Sequence, residues 1–306
     1  MGGIFFTAGR ILVEGVSGGG NTESSSDEEE SYHPAASVDE AAQLLYELED
    51  AKILAGGQSL IPLMNFRLAS PTHLIDISGL AELSEIKVSE TEVEIGASVT
   101  HSQVLQSEQA GSALPLLVEA EKLIAHEVIR NRGTLCGSLA HADPAGEMTA
   151  VISVLNGRVD TASVSGGRTI EATDLFEGPL QSSLREDELI VSATFPKLGP
   201  RTVSSFREVA RRHGDYAVAG AVSVVEYDNN DQVQSARAAF LSVGPVPTVV
   251  SFDDLLRGTR IEDVGHSEIY NFLSSQLEPH GDLQASADYR RHLAAEMGWA
   301  SLEACI

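Results

Sequence analysis

Two runs of small residues are where this sequence offers binding chemistry without a basic side chain. They are Ala55-Gly56-Gly57-Gln58-Ser59-Leu60 and Gly133-Thr134-Leu135-Cys136-Gly137-Ser138. Small residues let backbone N–H groups approach an anion, and a helix opening just after the loop adds a favourable dipole. One such loop is more simply a tight turn; two in one domain point towards a dinucleotide. Neither is the Rossmann GxGxxG, and neither carries the GK[ST] of a Walker loop.

The other reactive side chains are sparse. His101, His126 and His141 are candidate proton carriers, but no carboxylate–histidine–nucleophile pattern is visible around them, and their spacing is not that of metal ligands. Structural or surface roles are the simpler expectation. Cys136 reads either as a reactive thiol near a helix start or as a small packing residue. Gly214-Asp215 forms a turn that would present Tyr216, with Asp215 as a turn residue rather than a catalytic acid. Cys136 and Cys305 are the only cysteines, too few for an iron–sulfur cluster and without a CxxC pair. Metal chemistry is therefore expected on another chain.

These residues need elements to position them. Ser37-Val38-Asp39-Glu40 is a capping-box pattern, and Ala41, Leu44, Leu45 and Leu48 follow at helical spacing. A strand over 52–55 leads into the first glycine loop, and a helix over 60–68 leaves it. Strands are expected at 73–77 and 93–95, then one helix over 114–129 ending at Asn131-Arg132-Gly133. Asp143-Pro144 should open a helix that stops at Asn156-Gly157. A hairpin follows around Ser165-Gly166-Gly167, then a strand over 189–195. Strands at 204–209, 218–227 and 236–243 come next, the last two separated by the turn Asp228-Asn229-Asn230-Asp231, with helices from Asp253 onward. The class is α+β, without a regular βαβ alternation or an internal repeat. Residues 1–30, with Gly18-Gly19-Gly20 and Ser24-Ser25-Ser26-Asp27-Glu28-Glu29-Glu30, read as a flexible extension.

With 306 residues and an apolar fraction of 42%, the chain can bury a sizeable core in two or three domains. It shows no membrane-spanning run and no secretory signal, so a soluble intracellular protein is expected. Its 20 basic and 45 acidic residues give a net charge of −25, and Lys52, Lys87, Lys122 and Lys197 are the only lysines. The acids are dispersed, as in the coat of a halophilic protein; the other reading is a docking surface for a basic partner. Nucleic-acid binding is excluded for want of a basic stripe.

Four motifs, taken in order, carry a family likeness. The run Ala-Gly-Gly-Gln-Ser-Leu-Ile-Pro-Leu-Met-Asn-Phe-Arg-Leu at 55–68 resembles the first flavin loop of the medium subunit of molybdenum hydroxylases of the carbon monoxide dehydrogenase and xanthine dehydrogenase type. Residues 129–144, Ile-Arg-Asn-Arg-Gly-Thr-Leu-Cys-Gly-Ser-Leu-Ala-His-Ala-Asp-Pro, are similar to the second. Phe206-Arg207 with Gly214-Asp215-Tyr216-Ala217, and Tyr289-Arg290-Arg291-His292-Leu293, resemble the later signatures, so the likeness runs from about Tyr32 to the C-terminus.

The resemblance implies a two-subdomain, PCMH-type FAD-binding domain over 31–198 (subdomains about 31–80 and 81–198). A C-terminal domain over 199–306 with a small antiparallel sheet and helices would follow. It implies FAD held at its pyrophosphate and ribityl chain by Ala55, Gly56, Gly57, Gln58, Ser59 and Leu60 and by Thr134, Leu135, Cys136, Gly137 and Ser138. Glu147 falls on the family's acid after the second loop, Ile190 near the adenine, Arg207 near the flavin and Tyr216 against the isoalloxazine. Cys136 stands where the family usually has glycine, and Glu147 where it has aspartate.

The implied partners are a small subunit with two [2Fe–2S] clusters and a large subunit with the molybdenum cofactor, in a dimer of heterotrimers. Electrons would leave FAD for quinone, NAD or oxygen, in the cytoplasm or at the inner face of the membrane through the complex. No catalytic acid–base pair is required of this chain. The alternatives are a free-standing FAD-dependent oxidoreductase and a cofactor-less assembly or binding protein.

Overall fold

The computed structural model describes residues 31–306, so the extension expected over 1–30 lies outside the described residues. The first sheet is built from β1 (Ser31–Pro34), β2 (Ala51–Leu54) and β3 (His73–Asp76), in the order β1-β3-β2. Both pairings are parallel. The Val38–Glu47 helix connects β1 to β2, and the Leu60–Asn65 helix connects β2 to β3. A small βαβ unit therefore opens the domain, and the sheets that follow are antiparallel, as expected of an α+β chain without a regular βαβ alternation. β1 itself gives no local signal, because four residues ending in proline acquire strand character only from a partner β3 far along the chain. The expected cap is present: Ser37 Oγ accepts from Glu40 N–H, while the Glu40 carboxylate reaches back to Ala36 N–H.

The second sheet is antiparallel. It holds β4 (Ile86–Val88), β5 (Glu92–Gly96), β6 (Arg158–Ala162), β7 (Thr169–Glu171) and β10 (Leu189–Pro196), ordered β4-β5-β10-β6-β7. Short strands β8 (Phe176–Gly178) and β9 (Gln181–Ser182) pair beside it. Helices pack on this sheet, among them Glu147–Leu155, in which every residue is buried. That helix starts later than expected. Asp143 Oδ1 accepts from Ala145 N–H at 2.8 Å, so Asp143-Pro144 forms a turn, and Gly146 is the N-cap. The single helix expected over 114–129 is instead two, Pro115–Glu121 and Glu127–Arg130. Ala125 lies between them with φ +43°, and the Arg130 guanidinium donates to the freed carbonyls of Ile124 (2.6 Å) and Ala125 (2.9 Å). The break matters for the site, because it turns residues 124–126 towards a cleft.

The third sheet is a four-stranded antiparallel meander of β11 (Thr202–Ala210), β12 (Ala217–Tyr227), β13 (Val233–Leu241) and β14 (Thr248–Ser251). β14 is an edge strand absent from the sequence reading. Alternation along the strands divides the core: Val222, Val224, Ala239 and Leu241 join the hydrophobic cluster of the flavin-side region, whereas Ala219, Ala221, Ala238 and Phe240 join the one beneath His266–Gln276 and Ala287–Glu303. The sheet is a shared wall between two cores, which explains why β12 is buried without interruption from Ala217 to Val225.

Candidate functional site

The two glycine loops meet. A Cβ on Gly56 would lie 2.1 Å from the Arg132 carbonyl oxygen and 2.7 Å from Gly133 Cα, so the two backbones pack directly against each other. Gly57 follows with φ +71°, a conformation that turns the loop and that L side chains disfavour. The second loop is stitched down from below. His101 N–H donates to Gly133 O at 3.0 Å, Leu135 N–H donates to Val99 O at 3.3 Å, and Thr134 Oγ accepts from Gly137 N–H at 3.0 Å. Leu60–Asn65 and Leu135–His141 have six and seven residues, so the loop N–H groups rather than an extended helix dipole must provide the anion chemistry.

Both loops border one cleft of about 750 Å³, a volume within the usual range of cofactor sites. Ala55, Gly56, Gly57, Gln58, Ser59 and Leu60 line it, as do Thr134, Cys136, Gly137, Ser138, Glu147, Ile190 and Tyr216. Tyr216 is 56% exposed at the rim, beside Gly214 and Asp215. Two expected residues lie off the cleft. Leu135 is fully buried in the flavin-side core. Arg207 pairs with Glu119 at 2.9 Å. The reason is strand parity: Phe206 points into the flavin-side core, so Arg207 faces away, and Glu208 returns to the Phe206 side near Glu147. Arg207→Ala should therefore change FAD affinity by less than about threefold, as expected for a half-exposed ion pair worth under ~1 kcal/mol. Flavin titration checks this, and a loss of tenfold or more would restore Arg207 to the site.

Charge in the cleft is mostly acidic. Lys52 is the one lysine on its lining, and there is no arginine; Asp143, Glu147, Glu188 and Asp215 are the acids. Burial pushes Glu147 up to about 8, with the neighbouring Glu208 adding to the effect, and burial alone pushes Glu208 up to about 7. Both are therefore largely neutral in mildly acidic solution. Glu188 differs: hydrogen bonds from the Arg168 guanidinium hold its carboxyl below the ordinary range, with Nε–Oε1 at 2.7 Å. Burial lowers His141, opposed by Asp143. Cys136 is 2% exposed, its Sγ faces Ile95 O at 3.6 Å, and burial pushes the thiol up to about 12. It is a packing residue. In the folded protein at pH 8 neither Cys136 nor Cys305, also near 12, should react with iodoacetamide, whereas both should after unfolding; mass spectrometry of the labelled chain reads this directly, and rapid native labelling of Cys136 would contradict the packing assignment.

One cluster was missed by sequence reading. His101, 2% exposed, bonds Glu121 Oε2 through Nδ1 at 2.8 Å and Ser138 Oγ through Nε2 at 3.1 Å. The expectation of no carboxylate–histidine–hydroxyl arrangement is thus corrected. Its members are 20 and 37 residues apart, beyond the reach of any local pattern.

The residues present fit a dinucleotide: two glycine loops packed backbone to backbone, so closely that a Cβ at Gly56 would clash, and a cleft of cofactor size. Comparison with known proteins agrees. Residues 25–198 match the profile described as the FAD binding domain in molybdopterin dehydrogenase, and residues 204–302 match the CO dehydrogenase flavoprotein C-terminal domain. The chain is 39% identical to the nicotine 6-hydroxylase medium subunit of Paenarthrobacter nicotinovorans, over 87% of this chain and 93% of the relative. It is 34% identical to the carbon monoxide dehydrogenase medium chain of Hydrogenophaga pseudoflava, over 89% and 96%. Among solved structures, carbon monoxide dehydrogenase from Hydrogenophaga pseudoflava and quinoline 2-oxidoreductase from Pseudomonas putida 86 each superpose with a TM-score of 0.84 at 34% identity, covering 90% of this chain and 96% of theirs. With both of its regions matched in order and the glycine loops closed around one cleft, this chain belongs to the family of FAD-binding subunits of the molybdopterin-dependent dehydrogenases.

Proposed function

We propose that this chain is the FAD-carrying electron-transfer subunit of a heteromeric molybdenum hydroxylase. The observation that carries the reading is the direct backbone contact of the two glycine loops that line a cleft of about 750 Å³. Loop N–H groups of Ala55, Gly56, Gly57, Gln58 and Ser59, and of Thr134 and Cys136, would hold the pyrophosphate and ribityl chain, the N–H groups of Leu135, Gly137 and Ser138 being used within the protein. Ile190, Leu184 and Leu189 are apolar residues of the cleft lining that would suit adenine, and Tyr216 at the rim would suit the flavin ring. Glu147, mostly protonated near neutrality, can donate or accept a hydrogen bond without repelling an anion. When bound, FAD supplies the conversion between paired and single electrons; the protein supplies position and electrostatics.

The partners proposed are a small subunit with two [2Fe–2S] clusters and a large subunit with the molybdenum cofactor, joined as a dimer of heterotrimers. The names of the relatives, medium subunit and medium chain, support this. Quinone, NAD or oxygen would accept the electrons. Among the described residues no helix is long and apolar enough to cross a membrane, in keeping with a cytoplasmic complex. The charge of −25, spread along the chain, suits a protein working in high salt.

The test is a visible spectrum of the tagged chain purified from its native host in high salt. Flavin bands over broad iron–sulfur absorption, with two further chains on the gel, is the expected result. Flavin bands without partners would favour a free-standing flavoenzyme, and a colourless protein would overturn the reading.

A further inference from the structure

Glu121 is fully buried at the C-terminal end of Pro115–Glu121. Its Oε1 has no hydrogen-bond partner, and its Oε2 has His101 Nδ1 at 2.8 Å. Burying a carboxylate with one oxygen unsatisfied is destabilising, and an apolar residue at this position would pack without that cost. The fold thus retains a costly group for one contact, and that contact is to an imidazole whose other nitrogen meets Ser138 on the cleft wall. Glu121 itself does not line the cleft; His101 and Ser138 do.

The direction of the chain follows from its terminal acceptor. In the arrangement proposed below, Glu121 Oε2 accepts from the N–H at His101 Nδ1, and Nε2 serves as an acceptor. Ser138 then donates its hydroxyl hydrogen to Nε2, and only its oxygen lone pairs remain for the cleft. A hydroxyl held this way cannot donate to a phosphate oxygen. It accepts instead, so it matches a ligand group that carries its own hydrogen, such as a polyol or sugar hydroxyl. His101 is 2% exposed, and the backbone beneath the ring is anchored by its main-chain N–H, which donates to Gly133 O at 3.0 Å.

We propose that Glu121 and His101 are positioning residues that lock Ser138 as a hydrogen-bond acceptor for a hydroxyl of the bound flavin nucleotide, making this part of the cleft a reader of the polyol chain rather than of the pyrophosphate. The inference rests on the FAD reading given above.

The experiment is a double-mutant cycle on the full chain, with FAD affinity read by flavin fluorescence. Glu121→Leu removes the acceptor and frees the imidazole to change tautomer; it should weaken FAD binding by about tenfold, the value of one well-placed hydrogen bond. Glu121→Gln keeps an oxygen for the Nδ1–H and should stay within about threefold of wild type. In a Ser138→Ala background, Glu121→Leu should change affinity by less than about twofold, because the effect travels through the missing hydroxyl. Equal losses in both backgrounds, or none in either, would overturn the proposal. Ring ¹⁵N shifts of His101 in the wild-type protein give a reading independent of how the variants fold: a protonated Nδ1 with an accepting Nε2 is expected, and the opposite tautomer would also overturn it. Wild-type protein that fails to bind FAD would sink the flavin reading together with the relay, whereas normal FAD binding without coupling would sink the relay alone.

Discussion

Gly56→Ala should leave the protein folded and cut its affinity for FAD by about a hundredfold, the equivalent of one or two charge-assisted hydrogen bonds. The added methyl has nowhere to go. It would meet Arg132 O at 2.1 Å, Arg132 C at 2.7 Å and Gly133 Cα at 2.7 Å, all of them backbone atoms that cannot swing aside as a side chain can. The loops must part, at an overpacking cost of ~1–3 kcal/mol, and the cradle proposed for the pyrophosphate widens. Gly57→Asp should empty the site by a different route. Its φ of +71° is strained for any side chain, and a carboxylate there would stand beside the pyrophosphate. Gly79→Ala is the control, since nothing lies within 4 Å of its added carbon. Flavin content after purification and a fluorescence titration of the apoprotein measure the outcome. Full FAD occupancy in both loop variants would show that the contact between the loops is not the cofactor cradle.

Much of this site was legible because its information is local. Glycine at 56 and 57 between a strand and a helix, and Thr134 capping a helix whose third residue is Gly137, are short-range features that sequence displays directly. What was hidden depends on partners remote in sequence. Leu123-Ile124-Ala125 reads as helix by propensity, but Arg130 binds the Ile124 and Ala125 carbonyls and stabilises a left-handed turn there. Asp143-Pro144 has the composition of a helix start, yet the Asp143 carboxylate closes a turn on Ala145 first. Arg207 matched a family position near the flavin, and a strand's period of two decided otherwise, turning Glu208 to the Glu147 side. His101, Glu121 and Ser138 sit on three separate helices, and none of them signals the others within one helical turn.

The second large effect should appear in the pH dependence of stability. Glu147 and Glu208 have carboxyls raised from near 4.5 to about 8 and about 7, chiefly by burial. A carboxyl raised on folding binds its proton more tightly in the native state. Its contribution to stability is complete below the unfolded value and is lost as pH climbs through the folded one. Between pH 5 and pH 8 the native protein should therefore lose on the order of 3 kcal/mol, less than the full shifts imply because a charged pair relaxes and admits water. His141, lowered by burial, acts in the opposite sense and recovers stability as pH rises towards the ordinary imidazole range, so it blunts the trend without reversing it. Glu188, whose carboxyl is lowered by Arg168, matters only in acid, where its contribution fades as pH falls. Above pH 5 the two raised acids therefore dominate, opposed only by His141 below the ordinary imidazole range. Glu147→Gln and Glu208→Gln mimic the protonated forms, so each should raise stability at pH 8, change it little at pH 5, and flatten the profile between. Urea midpoints at constant high salt would measure this in wild type and both variants. An equally steep profile in the glutamine variants would mean that these carboxyls reach water and titrate normally; the cleft floor would then be charged at neutral pH, and the loop N–H groups would have to hold an anion against that repulsion.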